Sequence, residues 1–275
     1  MDYYEFKISG IPGDSGEILM AGLAAIGFES FQEEEDSLSG YIPAEVYNSR
    51  KVLSYLKRRS KATGIVYGYK LVKAENWNAL WESQYQPVTI DKKCHVRAPF
   101  HEPVPGMLYD LVIEPKMSFG TAHHETTALM IRMMMKEKIR KKRVLDMGSG
   151  TGVLAILAWK MGASAVDAID NDEWAYLNAK DNILKNNAPS IAVIQGDGKS
   201  IPAGHYDLIL ANINRNVLLG DIPKYARHLE RAGILLLSGF YEADLDAIAR
   251  KAQGESLSLS SSETRNHWVA AKFVK

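Results

Sequence analysis

A glycine-rich turn in the middle of the chain constrains the fold more than any other feature. The stretch LDMGSGTG, residues 145–152, follows an apolar run and carries Gly148, Gly150 and Gly152 at alternate positions. Because glycine has no Cβ, the backbone of such a turn can approach a bound ligand closely. The glycine pattern alone is weak evidence, since tight strand-to-helix turns also use glycine.

An acidic residue after the next apolar run strengthens this interpretation. Asp170 ends the segment AVDAID, 22 residues after Gly148, where a carboxylate can accept hydrogen bonds from the two hydroxyls of a ribose. Together with Asp146 before the turn, the pattern predicts a nucleoside-cofactor site. The spacing favours S-adenosylmethionine over NAD, because the dinucleotide fingerprint requires its third glycine where Val153 stands.

From residue 143 onward, apolar strands alternate with helical stretches. Strands are predicted within 143–148, 165–170, 191–197, 206–213 and 233–240, and helices within 151–161, 172–187, about 215–230 and 242–254. Near-continuous apolar strands separated by helices indicate a parallel sheet that is covered on both faces. The last segment, SLSLSSSETRNHWVAAKFV, has no helix between its halves. We therefore expect an α/β fold, a doubly wound and mostly parallel sheet with a terminal antiparallel hairpin.

The first part of the chain has a different order of elements. Two helical stretches, SGEILMAGLAAIG and SRKVLSYLKRRS, separate strand candidates in YYEFKISGI, FESFQEEE, LSGYIPAEV and IVYGYKLVKA. The order β-α-β-β-α-β is that of the ferredoxin-like α+β unit. We expect this small domain at 1–73, a cofactor-binding domain at 91–275, and a linker helix at 74–90. Trp77 and Trp81 would lie on one face of that helix.

Composition and charge exclude several classes of protein. Lys plus Arg equals Asp plus Glu at 33 each, so no overall basic field favours nucleic-acid binding. Cys94 is the single cysteine, which excludes an intramolecular disulfide and is typical of a reducing compartment. The chain also lacks a secretory-signal pattern and an apolar run of the roughly 20 residues that span a bilayer. We expect a cytoplasmic protein without a membrane partner.

Two further segments carry candidate site residues. In FGTAHHETTALMI, Thr126 or Thr127 can cap a following helix, whose N-terminus favours a carboxylate such as that of a methionine moiety. The sequence HHE at 123–125 is not an H-E-x-x-H motif, and no metal site is predicted. In LILANINRN, Asn212 ends a buried strand, the position at which open α/β sheets bind their ligands.

These segments resemble a known family. FGTAHHETT, VLDMGSGTGVLAI, AIDND and LILANI stand in the order found in methyltransferases of ribosomal large-subunit protein L11, and the resemblance covers the whole chain. It implies a class I methyltransferase fold, S-adenosylmethionine as cofactor, and an amino-terminal domain that recognises the ribosomal protein. Matched by position, the cofactor contacts of the family fall on Thr127, Gly148, Asp170 and Asn212. Ala122 and Glu125 replace a glycine and a proline of the family pattern.

The resemblance also implies the reaction, methylation of lysine side chains and of an α-amino group. Methyl transfer from a sulfonium to an amine is an in-line displacement that requires no nucleophilic residue and no metal. The amine must be neutral, which costs about 4 kcal/mol for a lysine at neutral pH. Asn212 is the candidate catalytic residue, because its amide oxygen can orient the amine, although a role in cofactor binding alone fits equally well. Gly150 and Asp197 complete the predicted cofactor site, with Asp197 near the adenine.

Three alternatives remain at this stage. A methyltransferase for adenine or glutamine would usually carry Asn-Pro-Pro-Tyr where this chain has ANIN, and an NAD-dependent oxidoreductase does not fit the glycine spacing. A catalytically silent ribosome-binding protein is supported by the basic run KEKIRKKR at 136–143, which also suits a solvated helix end. We favour a monomeric enzyme that methylates ribosomal protein L11, free or on the ribosome, without a nucleic-acid substrate.

Overall fold

The computed structural model describes residues 1–13, 15–34, 37–73, 82–116 and 120–275. They form two compact units, Met1–Gln84 and Tyr85–Lys275. Residues 74–81 of the predicted linker helix, which include Trp77 and Trp81, lie outside the described residues. Its last part was wrongly predicted, because Val88–Ile90 form a strand. Pro87 explains this change, since it disfavours helical backbone at the preceding residue and has no N–H for a helical hydrogen bond.

The amino-terminal unit has the ferredoxin-like order of elements that the sequence predicts. Its elements are β1 (Tyr3–Ser9), α1 (Ser15–Ala24), β2 (Ser30–Glu34), β3 (Ser37–Pro43), α2 (Ser49–Thr63) and β4 (Val66–Val72). The antiparallel sheet has the order β2-β3-β1-β4. Alternate residues of β1, Phe6 and Ile8, are fully buried with Leu23 of α1 and Leu56 of α2. One face of the sheet therefore carries the core of this unit.

The carboxyl-terminal unit is built on a seven-stranded sheet. Its elements are β5 (Val88–Ile90), β6 (Cys94–Arg97), β7 (Tyr109–Val112), α3 (Glu125–Met134), β8 (Arg143–Met147), α4 (Val153–Lys160), β9 (Ala165–Asp170), α5 (Glu173–Lys185), β10 (Ile191–Gln195), β11 (Tyr206–Asn212), α6 (Arg215–His228), β12 (Leu229–Tyr241), α7 (Leu245–Gln253), β13 (Ser258–Arg265) and β14 (Trp268–Val274). The sheet order is β10-β9-β8-β11-β12-β14-β13. The first five strands are parallel, and β14 is antiparallel to both of its neighbours. The predicted sheet and terminal hairpin are confirmed.

The strand order explains where a ligand can bind. From β8 the chain proceeds to β9 and β10 on one side, and it then returns to β11 and β12 on the other side. At such a switch point the loops after two central strands diverge and leave a crevice at their carboxyl ends. One apolar core covers each face of the sheet, so the strands that hold this crevice are buried on both sides.

A second, three-stranded sheet formed by β5, β6 and β7 was not predicted from the sequence. Strands β5 and β6 are joined by a tight turn in which Asp91 and Lys92 have positive φ values of 49° and 56°. The usual hairpin signal is glycine at such a position, and the turn has none. Cys94 begins β6 and is fully buried, and this burial raises the pKa of its thiol to about 12.

In the part of the chain that the structure describes, no helix combines the length and the apolar composition needed to cross a bilayer.

Candidate active site

The glycine turn between β8 and α4 is shaped by three left-handed residues. Gly148, Gly150 and Gly152 have φ values of 67°, 53° and 78°, which other residue types rarely adopt. The N–H of Gly148 donates to the carbonyl of Ile169 at 2.8 Å, so the turn is tied to the end of β9. A Cβ atom on Gly148 would lie only 2.1 Å from Cγ2 of Ile213. Glycine is therefore required at 148 by both conformation and space.

Asp170 lies at the end of β9 and faces the same turn. Its carboxylate accepts hydrogen bonds from the N–H of Gly150 at 2.8 Å and from the N–H of Asp172 at 3.0 Å. A carboxylate offers about four lone-pair positions, so two remain for a ligand. The group that fixes the glycine turn can thus also accept hydrogen bonds from ribose hydroxyls.

Asn212 lies at the end of β11 and is 9% exposed. Its Nδ2 donates to Oγ1 of Thr127 at 3.3 Å, whereas its Oδ1 is buried and has no hydrogen-bond partner among the described residues. An unpartnered buried oxygen is costly, and a bound ligand that donates to it would remove this cost. Thr127 is itself 1% exposed and lies behind Asn212, which places it in a supporting position.

These residues surround a cleft of about 470 Å³, within the range of small-molecule sites. The cleft is lined by His124, Thr126, Gly148, Gly150, Asp170, Asn171, Asp172, Ala175, Asn212, Ile213, Asn214, Gly239 and Trp268. Four predicted site residues are therefore brought together: Gly148, Gly150, Asp170 and Asn212. Thr127 and Asp197 are not among the lining residues. Asp197 is exposed, and its Oδ1 accepts from the N–H of Lys199 at 2.8 Å.

The cap of α3 differs from the prediction. Helix α3 begins at Glu125, so both threonines lie inside it, and His124 is the capping residue. The Nδ1 atom of His124 accepts from the N–H of Thr126 at 3.3 Å. The His124 ring also packs against Trp268, with ring centroids 4.7 Å apart. Sequence reasoning missed both aromatic residues, because histidine is not a preferred cap and the contact joins distant parts of the chain.

A second carboxylate, Asp146 in β8, is completely buried. Its Oδ2 accepts from the N–H of Ala155 at 3.0 Å, and its Oδ1 has no partner among the described residues. Burial and, to a smaller extent, the nearby charge of Asp170 raise the pKa of Asp146 to about 7. Asp170 and the open acceptor of Asn212, which both line the cleft, suit a cationic ligand that also carries hydroxyl groups. S-adenosylmethionine, with its sulfonium, ammonium and ribose, fits this set of groups.

Within the described ranges, no group of three or more His, Cys, Asp and Glu side chains is placed to hold a metal ion.

The sequence model of the ribosomal protein L11 methyltransferase family matches residues 23–275. The chain belongs to this family. A ribosomal protein L11 methyltransferase of Porphyromonas gingivalis is 41% identical over 98% of this chain and 96% of its own length. Another from Bacteroides thetaiotaomicron is 40% identical over 100% of both chains.

Solved structures agree with this assignment. A ribosomal protein L11 methylase from Lactobacillus delbrueckii subsp. bulgaricus is similar with a TM-score of 0.64 and 26% identity, over 69% of this chain and 98% of that one. A methyltransferase from Pyrococcus furiosus, at 20% identity and a TM-score of 0.52, shares the fold over 60% of this chain and 89% of its own. The chain is an S-adenosylmethionine-dependent methyltransferase, so the predicted family, fold and cofactor are confirmed. The roles of individual residues stay predictions.

Proposed function

We propose that this enzyme transfers methyl groups from S-adenosylmethionine to amino groups of ribosomal protein L11. The observation that carries the proposal is similarity along the full length to enzymes of that name, because 98–100% of the chain is covered at about 40% identity. The similarity therefore includes the amino-terminal unit as well as the methyltransferase fold. We also propose that residues 1–73 recognise the protein substrate, that residues 91–275 bind the cofactor, and that 74–90 link them.

In the proposed site, the glycine turn and Asp170 hold the cofactor. Gly148 and Gly150 let the backbone approach it, and Asp170 accepts hydrogen bonds from its ribose. The bound cofactor supplies an activated methyl group on a sulfonium. Thr127 acts indirectly in this arrangement, because its hydroxyl accepts from Nδ2 of Asn212 and is itself buried.

Asn212 is the residue that we propose to orient the substrate. Since Nδ2 of Asn212 is bonded to Thr127, its Oδ1 is the atom left to accept a hydrogen bond from the amine. This contact orients the neutral amine, because its lone pair is then directed away from the donated hydrogen. Water exclusion by the cleft lowers the pKa of a lysine amine and so reduces the cost of its deprotonation.

The proposed substrate is tested by incubating the purified full-length enzyme with purified ribosomal protein L11 and labelled S-adenosylmethionine. Mass spectrometry of the product should show added methyl groups on lysine side chains or on the α-amino group. A protein that binds the cofactor but adds no methyl group to ribosomal protein L11, free or within the ribosome, would contradict the proposal. Methylation of ribosomal RNA instead would favour the nucleic-acid alternative.

The role of Asn212 is tested by Asn212→Ala. If this side chain orients the amine, the turnover rate should fall by about 10- to 100-fold while the Kd for the cofactor changes little. Asn216→Ala is a suitable control, because Asn216 is exposed and is not among the residues that line the cleft. A rate that recovers fully at saturating cofactor would assign Asn212 to cofactor binding only.

We further propose that the enzyme acts as a monomer in the cytoplasm. The single cysteine supports the cytoplasmic setting, because disulfides are rare in reducing compartments. Light scattering during gel filtration tests the oligomeric state, and a stable dimer at micromolar concentration would contradict it.

A further inference from the structure

Helix α5 and its C-cap carry three asparagines, Asn178, Asn182 and Asn186, at intervals of four residues. All three are buried, with exposed fractions of 1%, 0% and 5%. This spacing places them on one face of the helix. Burial of an amide side chain is costly unless it is hydrogen-bonded. The hydrogen-bond partners of these asparagines therefore show which parts of the chain this face of the helix holds in place.

Asn186 bonds to the end of β7 and to its own helix. Its Oδ1 accepts from the N–H of Val112 at 3.0 Å, and its Nδ2 donates to the carbonyl of the same residue at 2.6 Å. The amide thus pairs with both backbone polar groups of one residue of the strand. Nδ2 of Asn186 also donates to the carbonyl of Asn182 at 2.8 Å, and none of these three hydrogen bonds goes to the glycine turn.

Asn182 connects the segment after β7 to the glycine turn. Its Oδ1 accepts from the N–H of Glu114 at 2.8 Å, just after β7, and its Nδ2 donates to the carbonyl of Thr151 in the glycine turn at 2.9 Å. The hydroxyl of Thr151 in turn donates to the carbonyl of Gly120 at 2.7 Å, on the segment that leads to α3. The glycine turn also packs closely on α5, since a Cβ atom on Gly152 would lie 3.4 Å from the Cβ atom of Ala179.

We propose that Asn182 is a positioning residue for the cofactor site. It holds the glycine turn from behind and joins it to the segment after β7, without touching the cofactor itself. Because the turn presents Gly148 and Gly150 to the cleft, a small shift of the Thr151 carbonyl alters the surface on which the cofactor lies. This inference rests on the proposed cofactor site.

The test compares Asn182→Asp with the matched variant Asn186→Asp. Each change keeps an oxygen that accepts from a backbone N–H and removes an amide NH2 group. That group donates to the Thr151 carbonyl and to Oδ1 of Asn178 in the first case, and to the carbonyls of Val112 and Asn182 in the second. Both variants should lower the melting temperature. Calorimetry with S-adenosylhomocysteine should show about tenfold weaker binding for Asn182→Asp, and a Kd within about twofold of wild type for Asn186→Asp.

Measurements of the Kd over a range of pH distinguish positioning of the glycine turn from a general loss of stability. When the introduced carboxyl at 182 is protonated, it can again donate to the Thr151 carbonyl, and burial raises its pKa. The ratio of the Kd of Asn182→Asp to that of wild type should therefore shrink as the pH falls from about 8 to 5.5. The alanine pair, Asn182→Ala and Asn186→Ala, repeats the comparison without a buried charge if the aspartate variants fail to fold.

Two outcomes would overturn the inference. The first is a Kd for S-adenosylhomocysteine that is unchanged in both variants at 182. The second is cofactor binding that is weakened equally by the variants at 182 and 186 when their melting temperatures fall equally. A wild-type protein that does not bind S-adenosylhomocysteine would instead overturn the proposed cofactor site, and the inference with it.

Discussion

At the scale of single residues, Asp170 combines a structural and a proposed binding role in one carboxylate. It fixes Gly150 on one side and Asp172 on the other. Asp170→Ala should therefore weaken S-adenosylmethionine binding by about 10- to 150-fold, the range for losing a hydrogen bond to a charged group. Calorimetry measures the affinity, and thermal unfolding should show that the variant remains folded.

Asp197→Ala provides the comparison. The exposed carboxylate of Asp197 is bonded to the backbone of Lys199 and does not line the cleft, so we expect affinity within about twofold of wild type. An unchanged Kd in Asp170→Ala would remove Asp170 from the ribose site. A large loss in Asp197→Ala would restore the adenine contact that the sequence suggests for it.

Asp146 makes stability depend on pH in the direction opposite to that of a salt-bridged carboxylate. Its pKa in the folded protein is about 7 instead of the ordinary 3.8, so the folded state holds a proton that the unfolded chain has lost between these values. The free energy of unfolding therefore falls as the pH rises through this window, by an upper limit on the order of 4 kcal/mol.

Asp146→Asn tests this dependence, because an amide at 146 can still accept from the N–H of Ala155 but does not ionise. We expect the variant to gain stability relative to wild type as the pH rises from 5 to 8 in urea unfolding without ligand. The same stability difference at both pH values would show that Asp146 does not titrate in this range.

At the scale of elements, an irregularity in β12 shapes the cleft. The register with β14 shifts between Ser238 and Phe240, and Gly239 at this point has a φ of 93°. A Cβ atom on Gly239 would lie 2.2 Å from the carbonyl oxygen of Ile213. The side chain of Ile213 lies against Gly148. Gly148 in the turn after β8 and Gly239 in β12 thus accommodate the residue that follows Asn212.

Gly239→Ala should displace the backbone of Ile213 and move Asn212 with it. We expect turnover to fall by at least about tenfold, together with a loss of stability of about 1–2 kcal/mol from the strained φ. Steady-state kinetics and thermal unfolding measure the two effects. Gly220→Ala is the matched control, since a Cβ atom there meets nothing within 4 Å, and it should leave turnover unchanged. Normal turnover in Gly239→Ala would show that Ile213 can move without disturbing Asn212.

Elements with a strong local signal could be predicted from the sequence. The apolar run before Gly148 and the apolar run that ends at Asp170 specify buried strands, and parallel strands in this order bring their carboxyl ends together. The β5–β6 hairpin escaped prediction because Asp91 and Lys92 adopt positive φ without glycine. The contacts of Asn182 and Gly239 join residues more than 20 positions apart, and no short-range pattern reports such contacts.

At the scale of the whole molecule, each unit has a hydrophobic core of its own. The core of the amino-terminal unit contains only residues up to Ile65 and Tyr67, and the two cores of the second unit begin at Val88. A fragment of residues 85–275 should therefore fold and bind S-adenosylmethionine with near wild-type affinity. It should lose methylation of ribosomal protein L11, because the proposed recognition domain is missing.

The fragment is measured beside the full-length enzyme by calorimetry and by methyl incorporation. If the fragment methylates intact ribosomal protein L11 at the full-length rate, residues 1–73 are not the recognition domain. If the folded fragment no longer binds S-adenosylmethionine, the cofactor site depends on residues that precede 85.

The burial of Cys94 has a practical consequence for spectroscopy. Its side chain is inaccessible and its thiol has a pKa of about 12, so thiol-reactive dyes and spin labels should not modify it in the folded protein. Cysteines introduced on the surface of each unit would then be the reactive ones, without prior removal of the native thiol. Fluorescence energy transfer or electron spin resonance between such labels can measure the distance between the two units in solution.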